Sequence, residues 1–437
     1  VDELEEGKTI EDYPDALQIE VTNRCNFKCK MCIRNVWNAK PQDINLDLFK
    51  KIASESFSII DKVILYGLGE PLMHHNFIDL LKIANKELKR DGKIMISTNG
   101  SLLSERLAEK LLKEIGLDVI SFSIDSIDES VFSVLRGPGL NEIMKNFYYV
   151  VKLKRFAKRD FNLDVEIVLM KDNFMDLPKI IKYLGEIGVD HIVVSNVAPY
   201  TREILEKIVY LTLSKPSLDL IKSSVNYGWD LILESTRGFF GKAYGLKDKN
   251  RSLEIIESIW KDAEKIGYWI NLPLLLESKD KFEIIKSVDE ILRKSEKIAR
   301  EYQIKLILPK IYPDANDRKC PYVEKRTMCV RSDGLAFPCM ELMYSHPLYV
   351  NLHIKNVLEM PIGDLNKEGV IDIWGRDVYV NFRYIRKNMG INIPWCGDCP
   401  YSTLSCFFVK NNEIDCYSNE PGCNECLYSA DIVKCNI

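Results

Sequence analysis

Six short apolar runs, each closed by glycine or a polar turn, alternate with amphipathic stretches between residue 16 and about residue 200. The runs lie at 17–21, 62–66, 93–97, 119–124, 165–170 and 191–195, and the stretches between them at 46–56, 77–88, 104–115, 142–156 and 175–187. Runs of that length read as strands, and the stretches have the one-sided period of helices. Strands joined through helices by short connections specify a parallel α/β sheet of βα units, since a parallel neighbour needs a crossover. A partial barrel and a flat doubly wound sheet share this string. In both, ligands gather at the carboxyl ends of the strands, where loops and helix N-termini converge.

A chain of 437 residues exceeds one ordinary core, so two or three units are expected: 13–200, a mainly helical insertion or bridge at 201–310, and a cysteine-rich unit at 311–437. The bridge carries helical patterns at 203–213, 218–234, 253–266 and 287–302. Two pieces within it, 263–273 and 299–309, each read as helix, strand, proline, which is the chance likeness of two joints rather than a duplication. Hydrophobic content of 46% and charged content of 28% describe a soluble globular protein. A net charge of -4 without a basic tract disfavours nucleic acid as partner. No run reaches the roughly 18 apolar residues of a membrane span, and the acidic start Val1-Asp2-Glu3-Leu4-Glu5-Glu6 is the wrong chemistry for a signal peptide. No membrane association and a cytoplasmic location are therefore expected.

Directly after the first run comes Cys25-Asn26-Phe27-Lys28-Cys29-Lys30-Met31-Cys32. One loop thus offers three thiolates to one centre. An iron-sulfur cube with three protein ligands keeps one open iron, able to bind a small molecule and pass it an electron; a zinc ion with a fourth ligand from elsewhere is the alternative. Gly67-Leu68-Gly69-Glu70-Pro71 follows the second run, where glycines allow close backbone approach to a ligand and a carboxylate can receive an ammonium group. The third run ends in Ser97-Thr98-Asn99-Gly100 and the fourth in Ser121-Phe122-Ser123-Ile124-Asp125-Ser126, alternating acceptors suited to a ribose diol. Strand termination and helix capping explain Asn99 and Ser126 nearly as well. Arg136 offers a forked donor pair to a carboxylate, or is a solvated loop arginine. His74 and His75 read as surface helix caps.

Ten of the 13 cysteines fall in the last 118 residues: Cys320, Cys329, Cys339, Cys396, Cys399, Cys406, Cys416, Cys423, Cys426 and Cys435. Grouped C-x2-C-like spacing points to metal ligation rather than disulfides. Ten thiols suffice for two four-cysteine clusters, and a zinc ribbon on Cys423 and Cys426 is the competing reading.

The Cys25, Cys29, Cys32 loop resembles the cluster loop of the radical S-adenosylmethionine (radical SAM) superfamily, with Met31 where an aromatic residue is usual; a thioether can also pack on adenine. Gly67 to Pro71 resembles that family's Gly-Gly-Glu-Pro motif, interrupted by Leu68. The resemblance implies a partial (β/α)6 TIM-like barrel and a [4Fe-4S] cluster on Cys25, Cys29 and Cys32 that binds S-adenosylmethionine. Its implied chemistry is reductive cleavage to a 5'-deoxyadenosyl radical, which abstracts hydrogen from a substrate. It places Gly67, Gly69, Glu70 and Pro71 at the methionine amino group, Asn99, Ser123, Asp125 and Arg136 at ribose or carboxylate, and the backbone of 196–199 at adenine.

The C-terminal cysteines, with Gly334 five residues before Cys339, resemble the SPASM extension, a twin-cluster domain, through Cys399; the spacing then departs at Cys406 and Cys416. By order, that resemblance assigns one auxiliary [4Fe-4S] cluster to Cys320, Cys329, Cys339 and Cys416. The other falls to Cys396, Cys399, Cys406 and one of Cys423, Cys426 or Cys435. Asp372-Ile373-Trp374 and Phe382-Arg383 fit the helix linking the two cysteine groups. The ending from Cys416 to Cys435, with Met343-Tyr344-Ser345-His346, is similar to a group that modifies the cofactor of tungsten-containing aldehyde ferredoxin oxidoreductases. This implies a pterin-type substrate and a low-potential donor such as ferredoxin or flavodoxin. A peptide or protein maturase is the alternative, against which only 24 residues precede Cys25. A non-catalytic iron-sulfur electron carrier, the reading of a different class, leaves the three-cysteine loop and Gly69-Glu70-Pro71 unexplained.

Overall fold

The computed structural model describes residues 13–156, 160–224, 251–278 and 281–437. Strands β1 (Ala16–Ile19), β2 (Lys62–Ile64), β3 (Lys93–Thr98), β4 (Val119–Ser123), β5 (Asn162–Leu169) and β6 (His191–Asn196) pair in chain order, all parallel. The crossovers carry α1 (Leu46–Ser56), α2 (Phe77–Glu87), α3 (Glu105–Glu109, continued by a π turn Lys110–Ile115), α4 (Glu129–Leu135), α5 (Leu140–Arg155) and α6 (Leu177–Ile187). Local chemistry sets their ends: Asn45, Ser104 and Asp128 cap α1, α3 and α4 with side-chain oxygens, and Gly188 stops α6 at φ 91°. Helix α4 lies between the fourth run and the expected helix, where the sequence reading placed only a loop.

The sheet is larger than six strands. β7 (Lys305–Ile307) joins β6 in parallel, and β8 (Thr327–Val330) joins the opposite edge, parallel to β1. β9 (Leu335–Phe337) follows antiparallel to β8; after a separate hairpin of β10 (His346–Val350) and β11 (His353–Val357), β12 (Gly363–Asp364) pairs with β9. The order β12-β9-β8-β1-β2-β3-β4-β5-β6-β7 leaves the sheet open and draws strands from all three expected segments.

The reason lies in β1. It alternates Leu17, Ile19 and Val21 with Gln18, Glu20 and Thr22, and all six side chains are buried. Gln18 Nε2 donates to Tyr66 O (3.3 Å), and its Oε1 accepts from Tyr322 Oη (2.7 Å) and Cys329 Sγ (3.5 Å). Glu20 Oε1 accepts from Tyr344 Oη (2.5 Å) and Ser332 Oγ (3.2 Å), and Oε2 from Leu68 N (3.0 Å). The polar face is therefore a hydrogen-bonded seam to the cysteine-rich segment. Gly67 and Gly69 belong to the same seam: a Cβ on Gly67 would lie 2.5 Å from Glu20 Cβ, and one on Gly69 2.2 Å from Thr22 O. These glycines let two strand ends abut, a packing requirement that stands beside the ligand approach expected of them.

Three further expectations are corrected. The helix read at 203–213 closes after Arg202–Leu205; Val209, Tyr210, Leu211 and Leu213 are buried, and Leu211 N donates to Ile311 O (3.0 Å), so this apolar run lies against the chain entering Ile311. The strand read at 270–273 is the start of a helix, Leu272–Glu277, because Asn271 Oδ1 caps Leu274 N and proline occupies the first turn. His74 is buried, not at the surface: Nε2 meets Ile44 O (3.1 Å) and Nδ1 accepts from Asn76 N (3.1 Å). Helices expected at 253–266 and 287–302 are Arg251–Lys265 and Phe282–Glu301. That expected at 218–234 is Lys215–Ser224 as far as the described residues reach. Among the described residues no helix is long and apolar enough to cross a membrane.

Gly69→Ala drives a methyl into backbone on β1's end and is expected to cost about 1–3 kcal/mol. Gly375→Ala, at φ -78° with its nearest contact at 3.4 Å, is expected to be neutral by urea denaturation. Equal midpoints for the two variants would contradict the seam. Phe122→Ala, which empties a fully buried site packed edge-on against Phe147 (5.0 Å), is expected to lose about 3–5 kcal/mol in the same assay.

Candidate functional site

The three-cysteine loop leaves the carboxyl end of β1 and is clamped at its base. Arg24 reaches Asp43 through Nε (2.9 Å) and Nη2 (2.5 Å), with Nη2 also donating to Met73 O (2.9 Å), so loops after β1 and β2 are locked together. Within the loop Cys32 N donates to Cys29 O (3.0 Å), and Lys30 N to Leu135 O (2.9 Å) at the end of α4. Side-chain donors from the neighbouring strand ends approach the sulfurs. Asn99 Nδ2 lies 3.9 Å from Cys25 Sγ, Arg136 Nη1 lies 4.0 Å from Cys29 Sγ, and Phe27 N donates to Cys25 Sγ at 3.4 Å. Burial raises all three thiol pKa values, Cys32 to about 11, so ligation of a metal group as thiolates must release protons. Met31 is buried with the main apolar core.

Around the loop the acceptors expected from the sequence come together, but most are already engaged. Glu70 is buried and accepts from Thr98 Oγ1 (2.7 Å), Asn99 N (2.7 Å) and Leu72 N (3.2 Å). Three donors leave about one of its four acceptor positions for a ligand. Burial pushes this carboxyl up to about 7. Asp125, wholly buried, accepts from Arg136 Nε (2.6 Å) and Val168 N (2.7 Å). Arg136 thus joins a carboxylate on the β4 loop to the Cys29 sulfur. Ser123 ends β4 half-buried, whereas Ser126 Oγ accepts from Asp128 N (3.0 Å) as a turn former. Asn99 Oδ1 accepts from Ser101 N (2.9 Å), and Nδ2 donates to Asn26 Oδ1 (2.9 Å). Beyond β6, Pro199 O accepts from Tyr349 N (2.9 Å) and Val197 N donates to Leu169 O (3.1 Å), so this backbone supports neighbouring chain. Sequence reasoning missed Glu20, Arg24 and Asp43; Glu20's partners Ser332 and Tyr344 lie some three hundred residues away, where no local pattern signals them.

The ten C-terminal cysteines separate into two groups. Cys416 lies within Coulombic reach of Cys399 and Cys406, and Cys396 of Cys399. Cys339 is within reach of Cys320, Cys329, Cys423 and Cys426, and Cys435 of Cys320, Cys329 and Cys426. In this grouping Cys416 lies near Cys399 and Cys406, and Cys423 and Cys426 near Cys320 and Cys339, an exchange relative to the assignment by order. The exchange follows from the fold, because Arg386, fully buried, donates from Nε to Cys423 Sγ (3.3 Å) and stands within reach of Cys320. The residues fit iron-sulfur groups. Cys339, Cys423 and Cys426 line one cavity, and N–H donors already approach Cys396 (Asn424 Nδ2, 3.1 Å) and Cys423. Among the described residues no three His, Cys, Asp or Glu side chains converge on a single ion; ligands of a cube stand on its corners instead.

Residues 19–184 match the family model of the radical SAM superfamily, and residues 320–400 match that of SPASM, an iron-sulfur cluster-binding domain. The chain is similar to a tungsten-containing aldehyde ferredoxin oxidoreductase cofactor-modifying protein of Pyrococcus furiosus, 29% identical over 96% of this chain and 97% of that one. It is also similar to a probable GTP 3',8-cyclase of Sulfurisphaera tokodaii, 32% identical over 43% of this chain and 56% of that one. In fold it resembles Streptococcus suis SuiB bound to S-adenosylmethionine, with a TM-score of 0.52, 16% identity, and coverage of 93% of this chain and 73% of that one. With its loop of three thiols at the sheet's carboxyl edge and its paired cysteine groups, the chain carries a radical SAM core and a SPASM domain, whose cofactors are S-adenosylmethionine and iron-sulfur clusters.

Proposed function

We propose that Cys25, Cys29 and Cys32 hold the cluster that binds S-adenosylmethionine, and that the two C-terminal groups hold one auxiliary [4Fe-4S] cluster each. Bound there, cluster and S-adenosylmethionine supply one-electron cleavage of the sulfonium and a 5'-deoxyadenosyl radical that takes hydrogen from substrate. The observation that carries the reading is the convergence of Asn99 and Arg136 donors on the sulfurs of a three-thiol loop. N–H donors to sulfur stabilise the reduced, more anionic state. Arg136, held by Asp125 through Nε, keeps its remaining donors on the side of Cys29, where a methionine carboxylate can be received. Glu70, Gly67, Gly69 and Pro71 frame the amino-group side, and Asn99 and Ser123 the ribose side. In the C-terminal part, Cys396, Cys399, Cys406 and Cys416 form one ligand set. The other draws on Cys320, Cys329, Cys339, Cys423, Cys426 and Cys435.

The substrate class is a small molecule or a peptide, and we assign it to a pterin-type metal cofactor with ferredoxin or flavodoxin as electron donor. Support comes from the likeness to the Pyrococcus furiosus cofactor-modifying protein, which extends over nearly both whole chains. Transfer of deuterium from a labelled pterin cofactor into 5'-deoxyadenosine is the expected result. Label arriving only from a peptide would move the substrate to the peptide class.

Anaerobically reconstituted protein with dithionite and S-adenosylmethionine is expected to release 5'-deoxyadenosine. Cys29→Ala is expected to release none and to bind about four fewer irons; unchanged release would defeat the assignment. A second outcome follows from Glu70. Its folded pKa near 7 stands above the ordinary 4.5, so the folded state holds the extra proton between those values. Stability of the iron-free protein should therefore fall as pH rises from 4.5 through 7, with up to about 3 kcal/mol from this group. Glu70→Gln should flatten that share of the slope in urea titrations at pH 5 and pH 8, and an unaltered slope would show that Glu70 does not carry it.

A further inference from the structure

Two residues before Cys320 of one C-terminal cysteine group, and stacked on the tryptophan that precedes Cys396 of the other, sits a buried cation. Arg318 is 3% exposed. Its Nε donates to Ala315 O (2.9 Å), and Nη2 donates to Met389 O (3.2 Å) and to Ile393 O. Its plane lies over Trp395, 5.2 Å from the ring centroid. Nη1, buried, has no hydrogen-bond partner. The guanidinium is within Coulombic reach of Cys426 and Cys423 from one group, Cys396 from the other, and Asp398. The three carbonyls and the ring hold the head group in one orientation, so the unpartnered nitrogen is set by the fold rather than by a free rotamer.

A charged donor buried without an acceptor is strongly disfavoured, and arginine does not shed its proton to relieve the cost. The partner nearest in charge, Asp398, makes no ion pair with Arg318; its Oδ1 accepts from Ser214 N (2.8 Å), and its Oδ2 is itself unpartnered. Thiolate-bound iron-sulfur groups are anionic, and nearby charge and N–H donors raise their reduction potentials. We propose that Arg318 is the shared counter-charge of the two auxiliary clusters, its unpartnered Nη1 the donor left for the anionic groups bound by the two cysteine sets. This rests on the auxiliary-cluster reading above. Arg318 acts through the clusters and is a positioning and tuning residue.

The test is an EPR-monitored redox titration of reconstituted full-length enzyme, comparing wild type, Arg318→Met and Arg318→Lys with iron counted in each. In Arg318→Met both auxiliary midpoints should move to more negative potential while the S-adenosylmethionine-binding cluster keeps its own; Arg318→Lys, which retains charge without the fork, should move them less. Unchanged auxiliary midpoints at full iron overturn the proposal, as does an equal shift of all three clusters. If Arg318→Met loses auxiliary iron, full loading of Arg318→Lys supports the need for charge, and loss in both reduces Arg318 to a brace and overturns it. Wild-type iron near four per chain instead of about twelve would sink the auxiliary-cluster reading itself, a result distinct from any behaviour of Arg318.

Discussion

Strand β1 is hydrogen-bonded along both edges, to β2 on one side and to β8 on the other, and its polar face is sealed by side chains from the C-terminal segment. A parallel strand buried in this way has no freedom of register, because a one-residue slip would turn Leu17 and Ile19 into the hydrogen-bonded seam and Gln18 into the apolar core. The three-cysteine loop begins where this strand ends. Its position is therefore as fixed as the sheet, and the sheet is fixed partly by residues more than three hundred positions later in the chain.

Glu20 concentrates this coupling. One carboxylate ties the glycine strip after β2, through Leu68 N, to Ser332 and Tyr344 of the cysteine-rich part. Burial raises its pKa even though each partner favours the ionised form. The terminal segment repeats the coupling on the inner face of the sheet. Asn436 Nδ2 meets Glu166 Oε1 (2.6 Å) beside Ser97, Asn196 Nδ2 donates to Ile432 O (3.1 Å), and Lys434 N donates to Ser195 Oγ (3.0 Å). Cys435 thus reaches its cysteine neighbours by way of β5 and β6. The parallel sheet that carries the three-cysteine loop and the SPASM part share one hydrogen-bonded framework.

Much of this was legible in the chain because the signals were local. Six parallel strands follow from alternating run lengths and crossover helices, and the three-thiol loop from a spacing that a single turn of chain satisfies. The engaged state of Glu70 and Asp125 was not legible, since their donors Thr98, Asn99, Arg136 and Val168 come from other strands or loops. Helix propensity misled at 203–213, where burial of Val209, Tyr210, Leu211 and Leu213 outweighs local preference, and a cap at Asn271 reversed the reading of 270–273.

By itself the sequence determined the class of sheet, the cluster loop, the twin-cluster extension and the chemistry they share, because each depends on residue type at short spacing. Tertiary structure alone decided that β1 has β8 as its second neighbour, that Gly67 and Gly69 abut the end of β1, and that Cys416 lies near Cys399 and Cys406. It also decided that Arg318 is buried over Trp395 with one nitrogen unpartnered. Those facts depend on which distant segments meet in three dimensions, and hydrogen bonds across such separations leave no period in the chain that makes them.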